Sequence, residues 1–263
     1  MDHLQTRIRL FREEIVALRE EGADVSEAER ALQALEETPE PTPEQFRALE
    51  ELLERPVVRP DFAYAEPIAL EEIRALRPDG PRSLPAGLPP DVLYDRVYGG
   101  WLGRAAGCLL GKPVEGWTKE RIEETMRFAG AWPLDDYCPE IPVNDRGLGY
   151  SRPLSWLRGH ITQMPRDDDM DYPILGLHLL EEDGPQVTSA KVAAQWLSHL
   201  PYNMVYTAER VAYRNLVNGI QPPQSGRYRN PYREWIGAQI RADILGWVNP
   251  GEPEHAATLA YAD

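Results

Sequence analysis

The sequence predicts an all-α protein, a compact multi-helix bundle that carries a small helical appendage at its N-terminus. Three observations predict it. Apolar residues recur at three- or four-residue intervals along most of the chain, the spacing of a helical stripe. Alternating runs of strand type are scarce. And Gly99, Gly103, Gly107 and Gly111 fall four residues apart inside an apolar stretch, which places them along one side of a single long helix.

The elements follow in chain order. Leu4, Ile8, Phe11, Ile15 and Leu18 form the first stripe, and residues 25–35 repeat the pattern after Gly22. The segment Thr38-Pro39-Glu40-Pro41-Thr42-Pro43 breaks the chain, and Pro43-Glu44 opens a third helix with Phe46, Leu49, Leu52 and Leu53 on its inner face. Residues 1–55 are therefore expected to form the appendage. Residues 56–90 are proline-rich and read as an extended connector with a short helix at 68–76. The body, residues 91–263, starts with Val92, Leu93, Val97 and Trp101 on a helix. Further helices are expected at 119–128, 154–160, 174–182, 189–200, 206–218, 235–247 and 253–262, and residues 132–150 read as a long loop.

A chain of 263 residues with 42% hydrophobic content can bury one large core plus a small extra one. Its net charge of -15, with no Lys/Arg-rich block, argues against nucleic acid or an anionic membrane as partner. The N-terminus has no apolar signal core and no apolar run is long enough to span a membrane, so a soluble, cytoplasmic protein is expected. The only cysteines, Cys108 and Cys138, read as reduced packing residues.

Two stretches carry chemistry. Asp167, Asp168, Asp169 and Asp171 crowd four carboxylates into five positions, and adjacent ionised carboxylates repel unless a cation compensates. Pro165 and Pro173 bracket the run, so Asp171 is expected as the N-cap of a helix with Pro173 in its first turn, ending near Gly184. An acidic loop that merely caps this helix is the plainer alternative. The second stretch is the glycine helix, whose four aligned glycines predict very close approach by another helix or a ligand. Arg104 rules out the membrane form of such a motif. At its end, Gly111-Lys112-Pro113-Val114-Glu115-Gly116 offers the carboxylate of Glu115 as an acid or base. Trp117, Trp132, Tyr137 and Tyr150 read as packing residues, and the histidines lack metal-ligand spacing.

The glycine ladder, the exit at Glu115, the aspartate run, and the segment Trp235-Ile236-Gly237-Ala238-Gln239-Ile240-Arg241 followed by Asn249-Pro250 together resemble the ADP-ribosylglycohydrolase family over about residues 91–263. The resemblance implies an all-α fold with a binuclear magnesium site in a cleft, and hydrolysis of the glycosidic bond that joins ADP-ribose to a protein side chain or a small acceptor. The implied partner is an ADP-ribosylated protein or a small ADP-ribosyl or nucleoside-like substrate. It implies Glu115 as the catalytic glutamate, Asp167 and Asp168 as the paired metal aspartates, with Asp169 or Asp171 compensating at the metal, and Gly237 and Arg241 near the substrate. The chemistry suits these residues, since magnesium takes oxygen ligands and carboxylates stabilise an oxocarbenium-like transition state.

The pattern departs from the family in two places. Arg166 and Asp169 stand where hydroxyl residues usually flank the aspartate pair, and an arginine cannot be a ligand. The family's later Asp-x-Asp-Thr motif does not occur before Asp263, so the chain is expected to correspond to the N-terminal part of a longer enzyme, with an incomplete magnesium site. A non-catalytic scaffold that binds a nucleotide-like ligand or a partner is the alternative function. The run also fits the Asp-Asp-x-x-Asp pattern of all-α isoprenoid synthases, which the two prolines and the missing second acidic motif oppose.

Overall fold

The structure, a computed structural model, describes residues 3–85 and 87–263. Among the described residues there are twelve α-helices and no strand, the only β contact being an isolated antiparallel bridge between Ala23 and Val58. The all-α expectation holds.

The first three helices, α1 (His3–Glu20), α2 (Ser26–Glu37) and α3 (Pro43–Glu54), close around their own core. Ile8, Phe11, Ile15, Leu18, Leu32, Leu35, Phe46, Leu49 and Leu53 are buried together there, and among the described residues none beyond Leu53 joins them. The start of α3 is set locally: the Thr42 side chain accepts from the Gln45 N–H, the Gln45 side chain accepts from the Thr42 N–H, and Pro43 takes the first helical position. The connector holds a short helix, α4 (Leu70–Leu76). It runs against α12 (Pro253–Ala262), where Arg74 and Arg77 both reach Glu254, and Tyr261 donates to the Ile68 carbonyl at 3.0 Å.

The body comprises α5 (Pro90–Gly111), α6 (Lys119–Phe128), α7 (Asp168–Asp183), α8 (Ser189–His199), α9 (Thr207–Val217), the single turn α10 (Gln224–Arg227), α11 (Gly237–Trp247) and α12. Its main core joins Tyr172, Leu175 and Leu179 of α7 to Val192 and Trp196 of α8, Ala212 of α9 and Ile244 and Leu245 of α11. A smaller cluster of Met126, Cys138, Ile141, Tyr150 and Leu157 fastens the long loop to α6. The helix expected at 154–160 is only a three-residue 3-10 turn, Leu154–Trp156, because the backbone turns extended at Leu157 and Gly159 then adopts a positive φ of 85°.

Two expectations about α5 and α7 are corrected. A Cβ added at Gly99, Gly103, Gly107 or Gly111 would meet nothing within 4 Å, so the ladder faces open space rather than a closely packed helix. The close approaches use glycines off the ladder: a Cβ at Gly100 would lie 3.0 Å from Trp247, and one at Gly176 would lie 2.7 Å from Ile244. Helix α7 starts earlier than Asp171. Asp167 is its N-cap, accepting from the Asp169 N–H at 3.1 Å, and Pro173 lies inside the helix.

Arg104 is what makes that longer helix possible. Proline lacks the N–H that would bond to the carbonyl four residues back, here that of Asp169, and an orphaned buried carbonyl is costly. Arg104 Nε donates to this carbonyl at 2.6 Å. Its other nitrogens bind the Asp243 carboxylate and the Ile240 carbonyl of α11, so one largely buried guanidinium joins three helices.

Arg104→Met should lower unfolding stability by about 2–4 kcal/mol in urea titrations, because it strands several polar groups at once. The loss should be smaller in a Pro173→Ala background, where an N–H is restored opposite the Asp169 carbonyl. An additive double-mutant cycle would show that the two residues do not serve the same carbonyl.

Candidate metal and active site

The acidic run lies at the N-terminus of α7, where the helix dipole and free N–H groups favour negative charge. Asp171 pairs with Arg166, which also donates to the Met204 carbonyl at 3.1 Å. The arginine that departs from the family pattern therefore neutralises one carboxylate of the run. Asp167 meets the Lys112 ammonium, both side chains being only 11% exposed, and Lys112 sits 4.8 Å from the centre of the Trp156 ring. Asp168 and Asp169 have no basic partner among the described residues.

These environments push the neighbouring carboxyls apart. Burial raises Asp167, but the hydrogen bonds from Lys112 and from the Asp169 N–H, with the lysine's charge, outweigh it and hold the carboxyl below its usual value. Asp168 is pushed up to about 6, by burial first and then by its hydrogen bond to Asp167 and that residue's charge. The two titrate as a pair.

The last turn of α5 brings a thiol to this cluster. Cys108 Sγ and carboxylate oxygens of Asp167 and Asp169 lie within 4.8 Å of one another. Cys108 is thus not only the packing residue its sequence context suggests. Burial pushes its thiol up, with hydrogen bonds and charge from Asp169 and Asp167 adding to the effect, so without a cation it stays protonated at neutral pH. The carboxylate oxygens of the cluster fit a hard divalent cation held through one or two carboxylates and otherwise by water.

Glu115 caps the 3-10 turn Lys112–Val114 that extends α5, three residues after the lysine that grips Asp167. Arg152 Nε pins that turn by donating to the Pro113 carbonyl at 3.0 Å. The Glu115 carboxylate is exposed and makes no hydrogen bond or ion pair among the described residues. The structure therefore joins the segment of Glu115 to the aspartate run through Lys112, a residue whose rarity is its only sequence signal, the chain having three lysines in all.

Gly237 and Arg241 make their contacts elsewhere. A Cβ at Gly237 would lie 2.0 Å from Glu209 Oε1, so the glycine makes room for that carboxylate. Arg241 is buried between Glu209 and Asp263, with Nε 2.5 Å from Asp263 Oδ2, and its guanidinium lies over the rings of Trp196 and Tyr172. Burial raises the carboxyl of Glu209, and Arg241 opposes the rise. Sequence reasoning missed Glu209, because an acidic residue on a helix is ordinarily solvated.

Among known proteins, the model of the ADP-ribosylglycohydrolase family matches residues 89–263. No curated protein and no solved structure matches the chain.

The raised carboxyl of Asp168 has a defined effect on stability without metal. A group that holds its proton more tightly when folded stabilises the fold fully below its ordinary value of 3.8, and loses that contribution as pH rises through about 6. In EDTA, the melting temperature of the wild type should fall between pH 5 and pH 7 more than that of Asp168→Asn. The difference should correspond to about 1–2 kcal/mol after allowance for solvent. Parallel pH profiles would show that Asp168 is an ordinary carboxylate.

Proposed function

The chain belongs to the ADP-ribosylglycohydrolase family, and from that premise we propose that it hydrolyses the glycosidic bond of ADP-ribosyl or related nucleoside-like conjugates with a divalent cation, magnesium, at the aspartate run. The observation that carries the proposal is the juxtaposition at the end of α5: an unpaired glutamate, Glu115, on the turn whose lysine contacts the carboxylates at the start of α7. That pairs a free acid–base group with a set of hard oxygen donors.

Asp167, Asp168 and Asp169 are the residues that hold the cation in this reading. When bound, the cation would supply positive charge that orients ribose hydroxyls and offsets negative charge developing on the leaving group. Glu115, free of internal partners, takes a proton from the attacking water or delivers one to the leaving group. Breaking the bond at the anomeric carbon builds positive charge on the ribose, which the acidic run lowers in energy. In this reading Gly237 and Arg241 act through the residues they touch. Arg241 lies over the ring of Tyr172, one helical turn after Asp168 on α7, and Gly237 leaves room for the Glu209 carboxylate that Arg241 pairs with.

One observation favours the second reading, a binding scaffold. Of the 22 residues of α5 only Leu109 is buried, and Tyr94, Tyr98, Leu102 and Leu110 are exposed beside the open glycine stripe.

ADP-ribosylated peptides with different acceptor side chains, incubated with the chain and Mg2+, should release ADP-ribose, and EDTA should stop the release. Glu115→Gln should lower kcat by about 10^2–10^4-fold while ADP-ribose binding by calorimetry is retained. Ligand binding with no turnover by the wild type would instead establish the scaffold.

A further inference from the structure

Taking the acidic run as a divalent-cation site, we infer that Lys112 is the resident counter-ion of that site, and that a divalent cation binds by taking Asp167 away from the lysine. Three features of the structure support the exchange. Both partners are nearly buried, so the ammonium neutralises a carboxylate that water reaches poorly. Both oxygens of Asp167 already serve a partner, Oδ1 capping the Asp169 N–H and Oδ2 meeting Lys112, so a metal that uses this carboxylate competes with the lysine's charge for it. The cap anchors the backbone of α7, whereas the lysine reaches Asp167 on a flexible four-carbon stem.

The residue type suits the role. Arginine would hold a carboxylate with a rigid two-pronged fork, whereas lysine presents a point charge on a flexible stem. The chain has 28 basic residues of which three are lysines, Lys112, Lys119 and Lys191, and one of these few meets Asp167. A landing place is also provided. The ring of Trp156, 4.8 Å from the ammonium, attracts a cation through its π face, so the displaced lysine keeps a favourable neighbour in the same site. The cluster thus carries its own competitor, which prevents bare carboxylate repulsion in the metal-free protein and weakens metal binding by the strength of the Lys112–Asp167 contact.

The test uses the full 263-residue chain with Mn2+, followed by electron paramagnetic resonance, and Mg2+, followed by calorimetry. Lys112→Gln should bind Mn2+ roughly tenfold more tightly than wild type, while Lys112→Arg should bind no more tightly than wild type. A merely structural lysine would give the opposite sign, since loosening the site weakens metal binding. A second measurement needs no variant: brief acetylation read by mass spectrometry should modify Lys112 several-fold faster when Mg2+ is saturating, with Lys119 and Lys191 unchanged as internal standards. Unchanged or weaker Mn2+ binding by a folded Lys112→Gln, acetylation of Lys112 indifferent to Mg2+, or no metal binding by either protein overturns the inference. Metal exchange without ADP-ribose release would overturn the hydrolase reading alone, and ADP-ribose release with Lys112 indifferent to metal would overturn only the exchange.

Discussion

Arg104 is the contact on which the body of this protein depends. Its guanidinium completes the hydrogen bond that Pro173 cannot make and holds two points of α11, so α5, α7 and α11 meet around one side chain. Cations buried to this degree are costly unless each donor finds an acceptor, and here the acceptors come from two other helices. The packing of α5 cannot rest on apolar burial, because only Leu109 of that helix is buried. What positions Glu115 and Lys112 against the aspartate run is therefore a polar joint, with Trp101 against Trp247 and Gly100 beneath it as the apolar complement.

Much of the fold was legible in the sequence. The stripe from Leu4 to Leu18 and the proline-opened helix at Pro43 are local signals, and local signals translate directly into helices. The extent of α7 was not legible. Pro173 argues for a late helix start, and the residue that overrides it lies 69 positions earlier in the chain. Of the glycine ladder only the expected close helix is overturned, for a related reason: periodicity identifies a common side of a helix but not what lies opposite, and the glycines that make close contact, Gly100 and Gly176, belong to no repeat.

At the candidate site, the sequence marked Glu115 and the acidic run as chemistry-bearing, but not how their charges are balanced. The run was expected to need an external cation. In the structure two of its four carboxylates already have internal ones, Lys112 on Asp167 and Arg166 on Asp171. The same economy recurs at Arg241, set between Glu209 and Asp263. Residue type and spacing reveal which groups can ionise. Pairing across the fold decides which of them remain free to act, and that leaves Asp168, Asp169 and Glu115.

The N-terminal appendage is attached in a different way from the rest. Its apolar core is complete within its own three helices, and it meets the body through Arg233 on Glu14 and Glu21 and Arg229 on Glu50 and Glu54, beside a cleft of about 870 Å³. Two of these partners are imperfectly matched, since Glu14 Oε2 and Glu21 Oε1 are buried without a hydrogen bond. Arg233, Glu14 and Glu21 are largely buried, so salt screens their contacts far less than it would exposed ones. Where the first three helices meet the body, the placement of two arginines against four carboxylates sets the fit.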